Sequence, residues 1–151
     1  MSDRLTGGCQ CGVVRFSCEG LGRASICHCR MCQRAFAAPF AALVTARGLV
    51  WTAGEPKRFR SSSKARRGFC ADCGTTLTLE YDGLDAELAI CAFDRPQDIA
   101  PVIQVGVESR LPWAQNCPSL PGRPADQQEA ADAFLADLVS LQSAIPWREA
   151  P

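Results

Sequence analysis

The chain has 151 residues, 47% hydrophobic and 21% charged, enough to bury one core and too few for two. Sixteen basic side chains balance sixteen acidic ones, which excludes the global field of a non-specific nucleic-acid or membrane-surface binder. No apolar run nears the roughly 20 residues of a bilayer span, and against this ordinary background stand ten cysteines.

Residues Met1 to Gly8 lack the apolar core of a signal peptide, so a cytoplasmic location is expected, where reducing conditions favour chelating thiols over disulfides. Val14, Phe16 and Cys18 then alternate with Arg15 and Ser17 as a half-buried strand requires. Cys27-His28-Cys29-Arg30-Met31-Cys32 reads as a strand end turning into a short helix, and Phe40 to Val44 as a more buried strand. Lys57, Arg58, Arg60, Lys64, Arg66 and Arg67 make a local positive patch, with only Phe59 and Phe69 as interleaved aromatics. Leu77, Leu79 and Tyr81 alternate with Thr76, Thr78 and Glu80, Leu88 to Ala92 is another apolar run, and Ile103, Val105 and Val107 alternate with polar or small residues. Each alternating set should face one side, giving a meander of short antiparallel strands punctuated by glycine turns.

After an extended Pro118 to Pro124 segment the period changes. Ala131, Phe134, Leu135, Leu138, Leu141 and Ile145 predict a helix over about residues 126–144, with Asp126 and Glu129 at capping-box spacing and Pro146 as a stop. Its stripe is of ordinary width, which predicts docking on its own sheet rather than on a partner. The expected organisation is a zinc-binding domain over 1–123 and a helical extension over 124–151 packed on it.

Cysteine spacing carries the chemistry. Cys9 and Cys11 form one close pair and Cys70 and Cys73 another, and two such turns complete a closed tetrahedral shell of a structural zinc. Gly8, Gly12 and Gly74 supply open backbone beside these sulfurs. Such a site can contribute on the order of 10 kcal/mol of folding free energy. Cys27, Cys29 and Cys32 offer three thiolates, leaving one tetrahedral position for a reactant or for a closing ligand among His28, Cys18, Cys91 and Cys117. Of these, Cys117 in its Pro-flanked loop is the best candidate, His28 reads as a neighbour rather than a ligand, and Cys18 and Cys91 read as core residues. Three thiolates weaken zinc as a Lewis acid toward water, whereas an entering thiol would be held as a nucleophilic thiolate, so a thiol substrate is inferred. A zinc deaminase is excluded because Cys29-Arg30, not x-Glu, follows His28, and no G-x-S-x-G nucleophile elbow exists.

Gly8-Cys9-Gln10-Cys11-Gly12, Val14-Arg15-Phe16, Cys27 to Cys32 and Gly68-Phe69-Cys70-Ala71-Asp72-Cys73-Gly74-Thr75, with Ser61-Ser62 and Arg66-Arg67 between the last two, together resemble the glutathione-dependent formaldehyde-activating enzyme family, which also includes centromere protein V. The similarity spans about residues 5–120. It implies a mostly β, zinc-bound β-tent with Cys9, Cys11, Cys70 and Cys73 on a structural ion and Cys27, Cys29 and Cys32 on a labile, catalytic one. It also implies a carbon–sulfur lyase running in the direction of S-hydroxymethylglutathione, with glutathione and formaldehyde as partners. Two departures lie outside the metal ligands: Gln104 where many relatives carry histidine, and Pro118-Ser119-Leu120-Pro121 where Asp-Gly-Leu-Pro is common. The rival reading is a non-catalytic zinc-stabilised module binding nucleic acid or protein through residues 57–67. A small-molecule enzyme, monomer or homodimer, is the expectation, with neither nucleic acid nor membrane as partner.

Overall fold

The computed structural model describes residues 5–142 and places them in ten strands and two α-helices. β1 (Leu5–Gly8) and β2 (Arg15–Cys18) form a hairpin around the Cys9-Gln10-Cys11-Gly12 turn, where Gly12 takes φ 82°, a region open to glycine. β3 (Gly20–Cys27) runs into α1 (Arg30–Phe36), and β4 (Ala41–Arg47) returns antiparallel to β3. β5 (Val50–Ala53) completes a three-stranded sheet in the order β1-β2-β5. β6 (Lys57–Arg60), β7 (Ala65–Phe69), β8 (Thr76–Tyr81) and β9 (Glu87–Ala89) continue as the expected antiparallel meander. β10 (Ile103–Val105) closes a seven-stranded sheet ordered β10-β3-β4-β9-β8-β7-β6. It lies parallel to β3, the one parallel pairing among the described strands, because the chain crosses over between β9 and β10 instead of turning back as a hairpin.

The main core lies between the two sheets. Phe16 from β2 meets Trp51 and Phe93 edge-on, with ring centroids 6.0 and 5.1 Å apart, and packs with Cys18, Val44, Leu77 and Leu88. Burying side chains of this size contributes about 1.5–3 kcal/mol each. A second cluster of Cys32, Ala41, Leu43, Ala65 and Leu79 occupies the opposite face of the larger sheet. Neighbours Leu43 and Val44 join different clusters because successive strand residues point to opposite faces.

Several expectations are corrected by this arrangement. Leu77 and Leu79 join different clusters instead of sharing one face, in a strand whose pairing with β7 shifts register at Gly68/Phe69. Thr78 and Glu80 are buried as well, since β8 has neighbours on both sides and is covered on both faces. Thr78 Oγ donates to Glu80 at 2.8 Å and Arg58 Nε to both Glu80 oxygens at 3.0 Å, which satisfies the buried carboxylate. Ile103 and Val105 stay exposed because β10 is an edge strand whose outer face no described element covers, and Val107, also exposed, lies past the strand end in a 3₁₀ turn over Val107–Ser109. The run after Leu88 leaves the sheet at Ala89 and makes a 3₁₀ turn over Ile90–Ala92, so Cys91 is exposed rather than core.

The C-terminal helix, α2 (Ala125–Leu135), is shorter than predicted; its N-cap is Pro124, and Asp126 sits inside the first turn. It buries no residue, with Phe134 81% exposed, so the expected docking on the sheet is not made among the described residues. Leu138 and Leu141 follow the helix and are exposed too, and Ile145 and Pro146 lie outside the described residues. An apolar stripe requires burial for its stability but does not say against what.

Candidate metal centres

Two strand-joining turns bring the first cysteine group together. The β1–β2 hairpin presents Cys9 and Cys11, and the turn between β7 and β8 presents Cys70 and Cys73, so that all four Sγ atoms lie within 4.8 Å of one another. Gly74 closes the second turn at φ 76° while its amide reaches the Cys70 carbonyl at 2.9 Å. Cys11 and Cys70 Sγ are 3.8 Å apart, the edge of a tetrahedron with zinc–sulfur bonds of about 2.3 Å. Cys9 and Cys11 Sγ are 3.5 Å apart, far beyond a disulfide bond, and all ten cysteines are free. These four thiols cannot ionise together without a cation. Burial opposes the Cys73 thiolate, but the Thr75 hydroxyl at 3.1 Å, backbone donors and Cys11 outweigh it and bring the thiol down to about 6. The Val13 backbone favours a Cys11 thiolate, yet burial and the Cys9, Cys73 and Cys70 sulfurs push that thiol up to about 12. A divalent ion would take up this repulsion and release the remaining protons.

The second group sits where β3 hands over to α1. Cys27 ends the strand, Cys29 is the N-cap of α1 and accepts from the Cys32 amide at 3.4 Å, and Cys32 lies buried in the first turn. Their three Sγ atoms also fall within 4.8 Å of one another. Burial pushes Cys27 up to about 12. Burial also opposes the Cys29 thiolate, but the Cys32 amide and neighbouring thiols prevail and lower it. The loop is clamped from behind. Gln33, 3% exposed, donates to the carbonyls of His28 at 2.8 Å and Ser109 at 2.9 Å, and the His28 amide donates to Val105 at 2.9 Å. Gly106 at φ 64° crosses so close that a Cβ there would lie 2.9 Å from the Cys29 nitrogen.

None of the four sequence candidates for a closing ligand joins the three sulfurs among the described residues. His28 is buried, and its Nε2 meets Gln104 Oε1 at 2.9 Å. Gln104 is therefore the partner of the lone histidine at Nε2. Cys18 is in the main core. Cys117 is exposed, in a 3₁₀ segment over Pro112–Ser119.

Sequence reasoning missed Arg67 as an individual. Its Nη2 donates to Cys32 Sγ at 3.3 Å, its Nε to Ser61 Oγ at 2.8 Å, and only 3% of the residue is exposed. Burial pushes the Cys32 thiol up, and Arg67 pulls against it. The available signal was strand parity, since Arg67 falls between Ala65 and Phe69, the inward positions of β7. The other arginines of the basic run are largely neutralised. Arg58 and Arg66 face Glu80, and Arg60 makes a double contact with Asp82 at 2.7 Å. That leaves little of a nucleic-acid footprint. Clefts of about 820 and 420 Å³ flank the clusters, the first bordered by Cys9, Cys73 and Asp94, the second by Phe59, Arg67 and Phe69. Among the described residues, no helix is long and apolar enough to cross a membrane.

A model of the glutathione-dependent formaldehyde-activating enzyme family matches residues 4–109, a span that contains both cysteine groups and Arg67. No curated protein matches the chain. Among solved structures, a crystal structure of a Rhodobacter sphaeroides protein aligns with a TM-score of 0.53 at 23% identity, covering 66% of this chain and 99% of the other. That likeness shows the fold alone.

Proposed function

Because the chain belongs to the glutathione-dependent formaldehyde-activating enzyme family, we propose that it is a zinc-dependent carbon–sulfur lyase that adds a glutathione-like thiol to an aldehyde. In this reading Cys9, Cys11, Cys70 and Cys73 hold a structural zinc, and Cys27, Cys29 and Cys32 hold a second, catalytic one. The observation that carries the division is the donor count: four convergent sulfurs in one group and three in the other, with no fourth protein donor joining the three among the described residues. The donors fit zinc, being clustered thiols at tetrahedral spacing. A zinc ion bound there would supply Lewis acidity that holds an incoming thiol as its thiolate at neutral pH.

The chain's own residues do the rest. The Cys29 cap and the Gln33 clamp fix the three sulfurs before any ligand arrives, so little ordering cost remains at binding. Cys32 and Arg67 are buried beneath, whereas Cys27 and Cys29 are only half-buried, which leaves the approach on their side. The new carbon–sulfur bond forms as the aldehyde C=O π pair moves to oxygen, and the proton lost from the thiol is balanced by one gained at that oxygen.

The test is the exchange rate between ¹³C-formaldehyde and glutathione measured by magnetisation transfer, because the uncatalysed reaction supplies a baseline. The wild-type protein should raise that rate, and Cys29→Ser should return it to the baseline with the fold retained. A wild-type rate equal to the baseline would remove the lyase assignment for this pair of substrates.

A further inference from the structure

Arg67 is set apart from the ion-paired arginines by what it lacks. Arg15, Arg58, Arg60, Arg66 and Arg95 each lie within reach of a carboxylate. Arg67 is more deeply buried than any of these, yet its contacts are a serine hydroxyl and the sulfur of Cys32, and its Nη1 is buried with no hydrogen-bond partner among the described residues. The Glu87 carboxylate feels the Arg67 charge without contacting it, and a buried cation with no carboxylate in contact is disfavoured, as is a buried donor left unused. Both anomalies point toward the three-cysteine group, which Arg67 touches directly.

We infer that Arg67 makes the three-cysteine site select an anionic fourth ligand, a thiolate, over a neutral one; this rests on the reading of that site as a zinc centre. Three thiolates around a divalent cation carry one net negative charge, and Arg67 offsets it. A fourth thiolate would otherwise enter against that charge, whereas a neutral ligand such as imidazole meets no such opposition. The unused Nη1 supplies a further donor once a second negative charge arrives. Ser61 holds the fork in place at Nε, so Arg67 is a positioning residue whose orientation does not depend on the ligand.

The inference predicts a difference between ligands rather than a general loss. With cobalt(II) in place of zinc, the sulfur-to-metal charge-transfer band reports fourth-ligand binding, and the probes are 2-mercaptoethanol, which has no carboxylate, and imidazole. Arg67→Gln should weaken 2-mercaptoethanol by at least about tenfold, since a unit charge a few ångströms away in a partly buried site is worth that much. Imidazole binding should change by less than about threefold, and Arg67→Lys should recover most of the thiol affinity. Equal weakening of both probes, or a Lys variant that falls as far as the Gln variant, would overturn the inference while leaving the zinc-thiol reading intact. A wild-type band that 2-mercaptoethanol does not move would overturn both.

Discussion

The proposed division of the two cysteine groups into different roles is testable one side chain at a time. Cys70→Ser breaks the closed four-sulfur group that ties the first hairpin to the β7–β8 turn, so it should lower the melting temperature sharply and reduce bound metal. Cys29→Ser should remove about one ion and leave the melting curve cooperative; equal loss of fold in both variants would contradict the division. Gly106→Ala would place a Cβ against the Cys29 backbone at a positive φ, so it should cost about 1–3 kcal/mol and loosen metal at the second group only. Metal content measured beside a thermal melt checks this. The cysteines were legible because chelating pairs are local in sequence, and turn spacing is enough to make two sulfurs converge. The Arg67–Cys32, Gln33–Ser109 and Gln104–His28 contacts were not, because each joins residues 35 to 76 positions apart.

At the scale of elements, alternation placed the strands but not their surroundings. Residues 76–81 and 103–107 read alike, yet β8 is covered on both faces and β10 is an exposed edge, since period two reports strand geometry and the position in the sheet decides burial. The same limit explains Cys91, where an apolar run continues past the point at which the backbone turns. The α2 stripe was legible as a helix and illegible as a contact. We propose a domain boundary near residue 123, and because α2 buries nothing, a chain ending at Arg123 should keep its metal content and melt within about 2 °C of full length. A larger drop in a thermal scan would mean that the C-terminal segment stabilises the sheet.

For the whole molecule, stability is distributed between an apolar core, a few partly buried ion pairs and, in the proposed reading, a metal cross-link at the four-cysteine group. Arg15 holds Asp94 at 3.0 and 2.6 Å and joins β2 to the chain beyond β9, with the Thr6 hydroxyl adding a bond at 2.6 Å. Burial opposes the Asp94 charge, but these donors prevail and keep its carboxyl below the ordinary range. A depressed carboxyl contributes stability above its unfolded value near 4, and that contribution is lost as pH falls toward the folded value. Asp94→Asn should therefore be less stable than wild type by about 1 kcal/mol at neutral pH, with the gap narrowing as pH is lowered below about 4 in paired denaturant melts. A gap independent of pH would assign the effect to packing.

The central claim, a closed metal group that folds the chain and an open one that meets a thiol, is tested most directly by zinc stoichiometry before and after extended dialysis against glutathione, followed by circular dichroism. The account predicts two ions at the outset and a glutathione-dependent change confined to one of them, seen either as loss toward one ion or as bound glutathione at one equivalent, with the β signal intact. Two ions that glutathione neither removes nor binds, or a fold lost together with the first ion released, would contradict it.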